Sequence, residues 1–108
     1  MGINDQQFAV WTVKFTGQAR KQKEKLPDGI AAALYTLRRE LEADGPERLN
    51  WPHYGKLRGK KDKDIHHCHL NKGKPRYVAV WKVTDREIRL IEVRYVGTHE
   101  NADYRKIN

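Results

Sequence analysis

The segment His66-His67-Cys68-His69-Leu70 carries three of the five histidines in the chain. Side chains alternate between the two faces of a β-strand, so this segment predicts Cys68 and Leu70 in the core, with His66 on the same side. His67 and His69 then project from the opposite face, about 7 Å apart. Two such imidazoles can bind phosphate or carry protons near neutral pH, or they can ligate zinc. They can also be ordinary surface histidines.

A second group of candidate residues lies near the C-terminus. Gly97 ends the last predicted strand, and His99 and Tyr104 follow it. Loop residues at strand ends often carry function. Cleaving RNA without a metal requires a base for the 2′-hydroxyl, cations for the phosphorane and an acid for the leaving 5′-oxygen. Five residues are candidates for these catalytic tasks: His67, His69, Arg76, His99 and Tyr104.

The segment from Lys56 to Arg76 is strongly basic. It contains eight lysines or arginines, opposed only by Asp62 and Asp64, which leaves a net charge of +6. The whole chain of 108 residues has a formal charge of +8, and a small domain this basic tends to bind a polyanion. Interleaved aromatic residues favour a single-stranded nucleic acid, although core packing better explains Trp81. The candidate RNA-binding residues are Lys56, Arg58, Lys60, Lys61, Lys72 and Lys74.

The first half of the chain predicts one strand and two helices. Apolar and polar residues alternate over 11–15, which is typical of a half-buried strand. A polar segment over 16–25 predicts a short helix that ends at Pro27. Asp28 is the expected N-cap of a second helix, which Gly45-Pro46 stops. Four residues line one face of this helix: Ile30, Leu34, Leu37 and Leu41.

The second half predicts a sheet. Residues 47–63 are expected to form a loop or a short strand. Three antiparallel strands follow, with turns at 71–74 and 84–86: Asp64–Leu70, Arg76–Val83 and Glu87–Val96. The adjacent Leu90 and Ile91 predict a bulge, or a strand covered on both faces. This order predicts a single α+β domain over 1–108, with helices on one face of an antiparallel twisted sheet and the other face left free.

The composition also indicates the cellular compartment in which the protein works. Cys68 is the only cysteine, so no intramolecular disulfide can form, and no apolar run approaches the roughly 20 residues that span a bilayer. We therefore expect a cytoplasmic protein. The sequence contains no glycine-rich phosphate loop, no serine nucleophile elbow and no zinc-finger cysteine pair. We expect it to work with no cofactor and no metal.

The order and spacing of these motifs resemble the RelE/ParE toxins of bacterial type II toxin–antitoxin systems, over nearly the whole chain. Lys56-Leu57-Arg58-Gly59 resembles the turn that precedes the second strand of the family. The segment 67–70 stands where the family has alternating Lys or His residues. The segment 76–81 is similar to the family's RLVY-type strand. Gly97-Thr98-His99 resembles the GTH ending of YafQ-like members, and Tyr104 falls near the terminal Tyr or Phe.

The resemblance implies a RelE-like fold and ribosome-dependent cleavage of mRNA, in which attack by the 2′-hydroxyl leaves a 2′,3′-cyclic phosphate. It implies that His99 is a general acid or base, with His67 and His69 as proton-transfer or phosphate-binding partners. Arg76 would be the transition-state cation, and Tyr104 would position the substrate. The implied partners are mRNA, the ribosome and a cognate antitoxin protein. The RelE strand has two lysines where this chain has histidines, which leaves base and acid unassigned.

Two other functions fit parts of the pattern. A ParE-like toxin shares the fold but binds DNA gyrase and cleaves no RNA. A set of three imidazoles argues against it, because a pure binding protein does not need them. A metal-binding or structural domain would use His67, His69 and His99 as ligands.

Overall fold

Five strands and two helices form the described part of the chain, which in this computed structural model comprises residues 10–57, 63–104 and 106–107. In chain order the elements are β1 (Thr12–Phe15), α1 (Gly17–Lys23), α2 (Asp28–Asp44), β2 (Gly55–Lys56), β3 (Ile65–His69), β4 (Tyr77–Asp85) and β5 (Leu90–Thr98). The strands form one sheet in the order β1-β5-β4-β3-β2. Consecutive strands from β2 to β5 are antiparallel, and β1 joins the sheet parallel to β5. The predicted α+β fold is confirmed.

Both helices begin and end at recognisable signals. The Thr16 hydroxyl caps α1 by accepting a hydrogen bond of 3.0 Å from the N–H of Ala19. The prediction that Asp28 caps α2 is wrong. Pro27 occupies that position and makes no side-chain cap, because its ring has no hydrogen-bonding atom. Asp28 lies within the first turn, where its negative charge is favourable. Gly45 ends α2 as predicted, with φ 96°, a conformation that glycine adopts at little cost.

The helices cover one face of the sheet and enclose the main core. Leu34, Leu37 and Leu41 of α2 are buried there, as their helical spacing predicts. Each such leucine contributes about 1.5–3 kcal/mol by leaving water. The largest side chain in this core is Trp81, which is fully buried and donates a hydrogen bond of 3.2 Å to the Pro46 carbonyl. The core assignment of Trp81 is confirmed.

The opposite face of the sheet is not left free, contrary to the prediction. Val78, Val80 and Tyr95 form a second apolar cluster on it with Ile107 from the C-terminal segment. Tyr104 of the same segment packs against this cluster. The sequence after β5 therefore folds back over the sheet, because these apolar side chains need cover from water. The candidate residues on this face border a packed cluster.

The register between β4 and β5 shifts twice. One shift passes over Arg94 of β5, and the other places Thr84 of β4 as an additional residue opposite Leu90–Ile91. A register shift thus lies at Leu90–Ile91, where a bulge in the last strand was predicted, but the additional residue is Thr84 of β4 and not a residue of β5. Because β4 is longer than predicted, the turn lies at 86–89 instead of 84–86.

Candidate active site

The strand β3 separates its polar side chains between the two faces of the sheet, as the alternation predicts. His66 and Cys68 are fully buried on the helix side, where the His66 ring stacks on Trp81. Burial raises the pKa of the Cys68 thiol to about 12, so it stays a neutral core group. His67 and His69 lie on the opposite face. The two faces of β3 thus carry different chemistry.

Three of the predicted catalytic residues meet where β3, β4 and β5 share one end of the sheet. The rings of His69 and His99 have centroids 5.5 Å apart at an interplanar angle of 65°. The His99 N–H donates a hydrogen bond of 2.8 Å to the Arg76 carbonyl, which fixes the end of β5 beside the start of β4. Arg76 and His99 are exposed, whereas His69 is only 8% exposed. A buried imidazole is therefore flanked by two residues that solvent and ligands can reach.

The side chain of Asn71 holds the loop that leads into Arg76. The Asn71 Oδ1 accepts a hydrogen bond of 2.8 Å from the Tyr77 N–H. Its Nδ2 donates one of 3.1 Å to the Pro75 carbonyl. Arg76 lies between these two anchored residues, so its backbone is held while its side chain stays exposed.

The other two predicted catalytic residues form a second pair. The rings of His67 and Tyr104 have centroids 6.1 Å apart at an angle of 51°. The Nδ1 of His67 is buried, and no hydrogen-bond partner for it occurs among the residues that the structure describes. A buried polar atom without a partner is uncommon and is often found at functional sites.

His53 is a member of the cluster that the sequence analysis did not identify. Its ring stacks on His69, with centroids 4.3 Å apart at 30°. The His69 N–H donates a hydrogen bond of 2.8 Å to the Pro52 carbonyl, which fixes the loop at this point. His53 is exposed and has φ 56°, in the left-handed region. Residue type was the only signal in the sequence, since the segment 47–63 shows no periodicity.

The environment keeps two of these imidazoles neutral at pH 7. Burial lowers the pKa of His69, and electrostatic repulsion of its charged form by four neighbours lowers it further: His53, His99, Arg76 and His67. Burial also lowers the pKa of His67, with smaller effects from three other histidines. A neutral imidazole can accept a proton from a substrate.

The phenol of Tyr104 is also neutral at pH 7. Burial raises its pKa, so it keeps its proton and can donate a hydrogen bond.

The predicted RNA-binding residues are only partly described. Lys56, Lys72 and Lys74 are exposed, and the Lys56 ammonium lies 3.5 Å from the Asp64 carboxylate. Lys72 and Lys74 lie in the connection between β3 and β4, close in sequence to Arg76. Three further predictions lie outside the described residues: Arg58, Lys60 and Lys61.

In 10–57, 63–104 and 106–107, no three His, Cys, Asp or Glu side chains are placed to hold a metal ion together. Among the described helices, none has the length and apolar character needed to cross a membrane.

Comparison with known proteins establishes the fold. No family model and no curated protein sequence matches the chain. It does match solved structures, including a chain of the archaeal RelE–RelB complex from Pyrococcus horikoshii, with 22% identity over 86% of this chain and 99% of that chain, and a TM-score of 0.68. A mutant of the E. coli toxin RelE in the free state matches at 23% identity, 91% and 94% coverage, and a TM-score of 0.69.

A third match is a chain of the toxin–antitoxin complex RelBE2 from Mycobacterium tuberculosis, with 24% identity, 82% and 98% coverage, and a TM-score of 0.54. These likenesses confirm the predicted RelE-like fold.

Proposed function

We propose that the chain is the toxin of a type II toxin–antitoxin system and that it cleaves mRNA bound to the ribosome. The convergence of His69, His99 and Arg76 at one end of the sheet is the observation that carries the proposal. It combines a neutral, buried imidazole, an exposed imidazole and an exposed guanidinium, which are the three groups that metal-independent RNA cleavage requires. The fold, shared with RelE toxins, is consistent with this role.

In the proposed reaction, the neutral imidazole of His69 accepts the proton of a 2′-hydroxyl. The 2′-oxygen then attacks the adjacent phosphorus, and the bond from phosphorus to the 5′-oxygen breaks. The products are a 2′,3′-cyclic phosphate and a 5′-hydroxyl. The Arg76 guanidinium stabilises the negative charge of the phosphorane, because planar N–H donors match phosphate oxygens. His99, in its protonated form, donates the proton that the leaving 5′-oxygen needs.

His67 and Tyr104 position the substrate in this proposal. The half-buried imidazole of His67 lies beside Tyr104 and binds a phosphate oxygen of the RNA. The ring of Tyr104 gives a nucleotide base a surface on which to stack. Six basic residues bind the phosphates that flank the cleaved bond: Lys56, Arg58, Lys60, Lys61, Lys72 and Lys74.

The proposed partners follow from the same reaction. The ribosome presents the mRNA, and a cognate antitoxin protein keeps the toxin inactive in the cytoplasm. RelE is found with RelB in the matched archaeal complex, so a protein partner of this kind suits the fold. The proposal requires neither a cofactor nor a metal.

Induction of the wild-type chain in cells, beside His99→Ala, tests the proposal. We expect growth to stop and transcripts to be cut within codons, and His99→Ala to lower cleavage about 10²–10⁴-fold, because it removes the proton donor. Glu100→Ala is the matched control, since Glu100 is the exposed neighbour of His99 and has no part in the reaction.

Three outcomes would contradict the proposal. Growth arrest with intact transcripts would favour a ParE-like gyrase-binding toxin, which a supercoiling assay would then identify. Cleavage that EDTA abolishes, together with bound metal in elemental analysis of untagged protein, would favour a metal site. Harmless expression would mean that the chain is not an active toxin.

A further inference from the structure

A hydrogen-bonded network lies on the helix side of β3, behind the candidate active site. The Tyr54 hydroxyl donates to His66 Nδ1 at 2.7 Å, and His66 Nε2–H donates to the Asp64 carboxylate at 2.8 Å. The Arg86 guanidinium donates to Asp64 at 2.8 and 3.2 Å and to Glu47 at 2.8 Å. Both nitrogens of a neutral imidazole are thus satisfied, with the hydrogen on Nε2.

The proposed reaction does not use this network. His66 is fully buried, and its ring lies 5.8 Å from the ring of Tyr54 and 5.9 Å from that of Trp81. Neither RNA nor solvent can reach it. Burial lowers the pKa of His66 despite the opposing effect of its hydrogen bond to Asp64, and this favours the neutral tautomer that the hydrogen bonds require. A buried histidine with two hydrogen bonds restrains the side chains to which it is bonded, which here are Tyr54 and Asp64.

What the network fixes is the loop that carries His53. Tyr54 is the next residue, and its side chain is held on the helix side by His66 and by stacking near Trp81. His53 lies on the other side of the sheet, against His69. His53 lies in a turn with a left-handed backbone, and Tyr54 follows it directly, so fixing the Tyr54 side chain on the helix side restrains the turn that places His53 against His69.

The backbone supports the same link. His53 has φ 56° and Asp64 has φ 54°, both in the left-handed region, which residues with a side chain rarely adopt. Such conformations persist where the surroundings fix them. Around His53 the fixed points are the bond from the His69 N–H to the Pro52 carbonyl and the bond from the Tyr54 hydroxyl to His66.

We propose that the network of Tyr54, His66, Asp64 and Arg86 positions His53 against His69 in the candidate active site. Tyr54 and His66 are positioning residues, and His53 acts by covering and restraining the His69 ring on which it stacks. The importance for catalysis rests on the proposed function, but the positioning itself does not. The titratable or charged groups that act on His69 come from four parts of the chain: His53, His67, Arg76 and His99.

Titration of the imidazoles by NMR in the full chain tests the positioning without any RNA. His53→Ala should raise the pKa of His69, because it removes a neighbour that both buries and repels its charged form. Tyr54→Phe keeps the aromatic ring and removes only the bond to His66, and it should raise the pKa of His69 in the same direction. The double variant should show no further rise. Tyr35→Phe is the matched control, because it removes an exposed phenol that bonds to Arg39 on α2.

The proposal is overturned if Tyr54→Phe folds and leaves the His69 pKa unchanged, or if the two substitutions add in the double variant. If Tyr54→Phe does not fold, Arg86→Gln decides, since it loosens the network from its exposed end. It too should raise the His69 pKa.

Cleavage provides the second measurement. If the wild-type chain cleaves mRNA, Tyr54→Phe should lower the rate roughly ten- to a hundredfold and move the acidic limb of the pH profile with the His69 pKa. A wild-type chain that cleaves no RNA would refute the proposed function and leave the titration result standing. An active chain whose Tyr54→Phe variant keeps both its rate and its pH profile would refute the positioning alone.

Discussion

Asp64→Asn should lower the free energy of unfolding by about 2 kcal/mol at pH 7 and by progressively less below pH 4. Asn has the same shape as Asp and also tolerates the left-handed conformation that residue 64 adopts, so the substitution removes the charge and one of the two acceptor oxygens without disturbing the backbone. Asp64 is the centre of the buried network, with hydrogen bonds from both His66 and Arg86.

The magnitude follows from the acidity of this carboxyl group. Burial alone would raise its pKa, but the hydrogen bonds and charges of Arg86 and His66 outweigh burial and lower the pKa from 3.8 to about 2. At 1.36 kcal/mol per pKa unit, this corresponds to about 2 kcal/mol once the partly exposed Arg86 is allowed for. Because the folded-state pKa is lowered, the stabilisation is complete above about pH 4 and is lost as the pH falls towards 2.

Urea unfolding followed by tryptophan fluorescence at several pH values between 7 and 2.5 measures this effect. Asp64 raises the pKa of His66 against the lowering by burial, so protonation of His66 below about pH 6.5 destabilises the variant at least as much as the wild type. Only a difference that shrinks below pH 4 therefore reports the Asp64 carboxylate. Asp44→Asn is the control. Asp44 is exposed and its ion pair with Arg48 is long, at 3.8 Å, so this substitution should change the free energy of unfolding by less than about 0.5 kcal/mol. A difference that is as large at pH 3 as at pH 7 would refute the reasoning.

Three further predictions concern the core, the sheet and the reaction. Leu37→Ala should cost about 2–5 kcal/mol in urea unfolding, because Leu37 is fully buried, whereas Leu49→Ala, at a side chain 82% exposed, should cost less than about 0.5 kcal/mol. Gly97→Ala would place a Cβ 2.7 Å from the Tyr95 hydroxyl, so thermal unfolding should show a loss of about 1–3 kcal/mol. RNA cleavage should fall in acid with a midpoint below pH 6.5, because burial and positive neighbours lower the pKa of His69, and a midpoint above 6.5 would exclude it as the base.

Sequence periodicity was sufficient to predict burial in the strand and the helix that pack one face against the main core. Alternation along 65–69 correctly separated buried Cys68 from His67 and His69, because one face of that strand belongs to the main core. The spacing of leucines on α2 was informative for the same reason. Arg76 and His99 could be brought together from sequence because a short turn between two antiparallel strands fixes which ends meet.

The parts that the sequence did not predict depend on contacts between distant segments. His53 joins the cluster only because β2 pairs with β3 and because Tyr54 is tied to His66, and neither fact has a local signature. Similarly, Tyr104 and Ile107 cover the sheet because Val78 and other apolar residues on that face need cover, which a residue-by-residue pattern does not show. The cap of α2 was assigned to Asp28, since Asp favours that position, although Pro27 adopts it with its fixed φ.

The strand β3 explains why the buried network and the candidate active site depend on each other. Its residues alternate between a face that requires burial and a face that requires access for a substrate. A shift of one residue in register would bring His66 to the face of the candidate active site and His67 into the main core, where the hydrogen bonds that satisfy His66 would not be available to it. The network ties β3 to the turn after β4 through Asp64 and Arg86 and therefore opposes such a shift. Substitutions within the network should consequently alter the imidazoles on the other face, even though they touch no substrate.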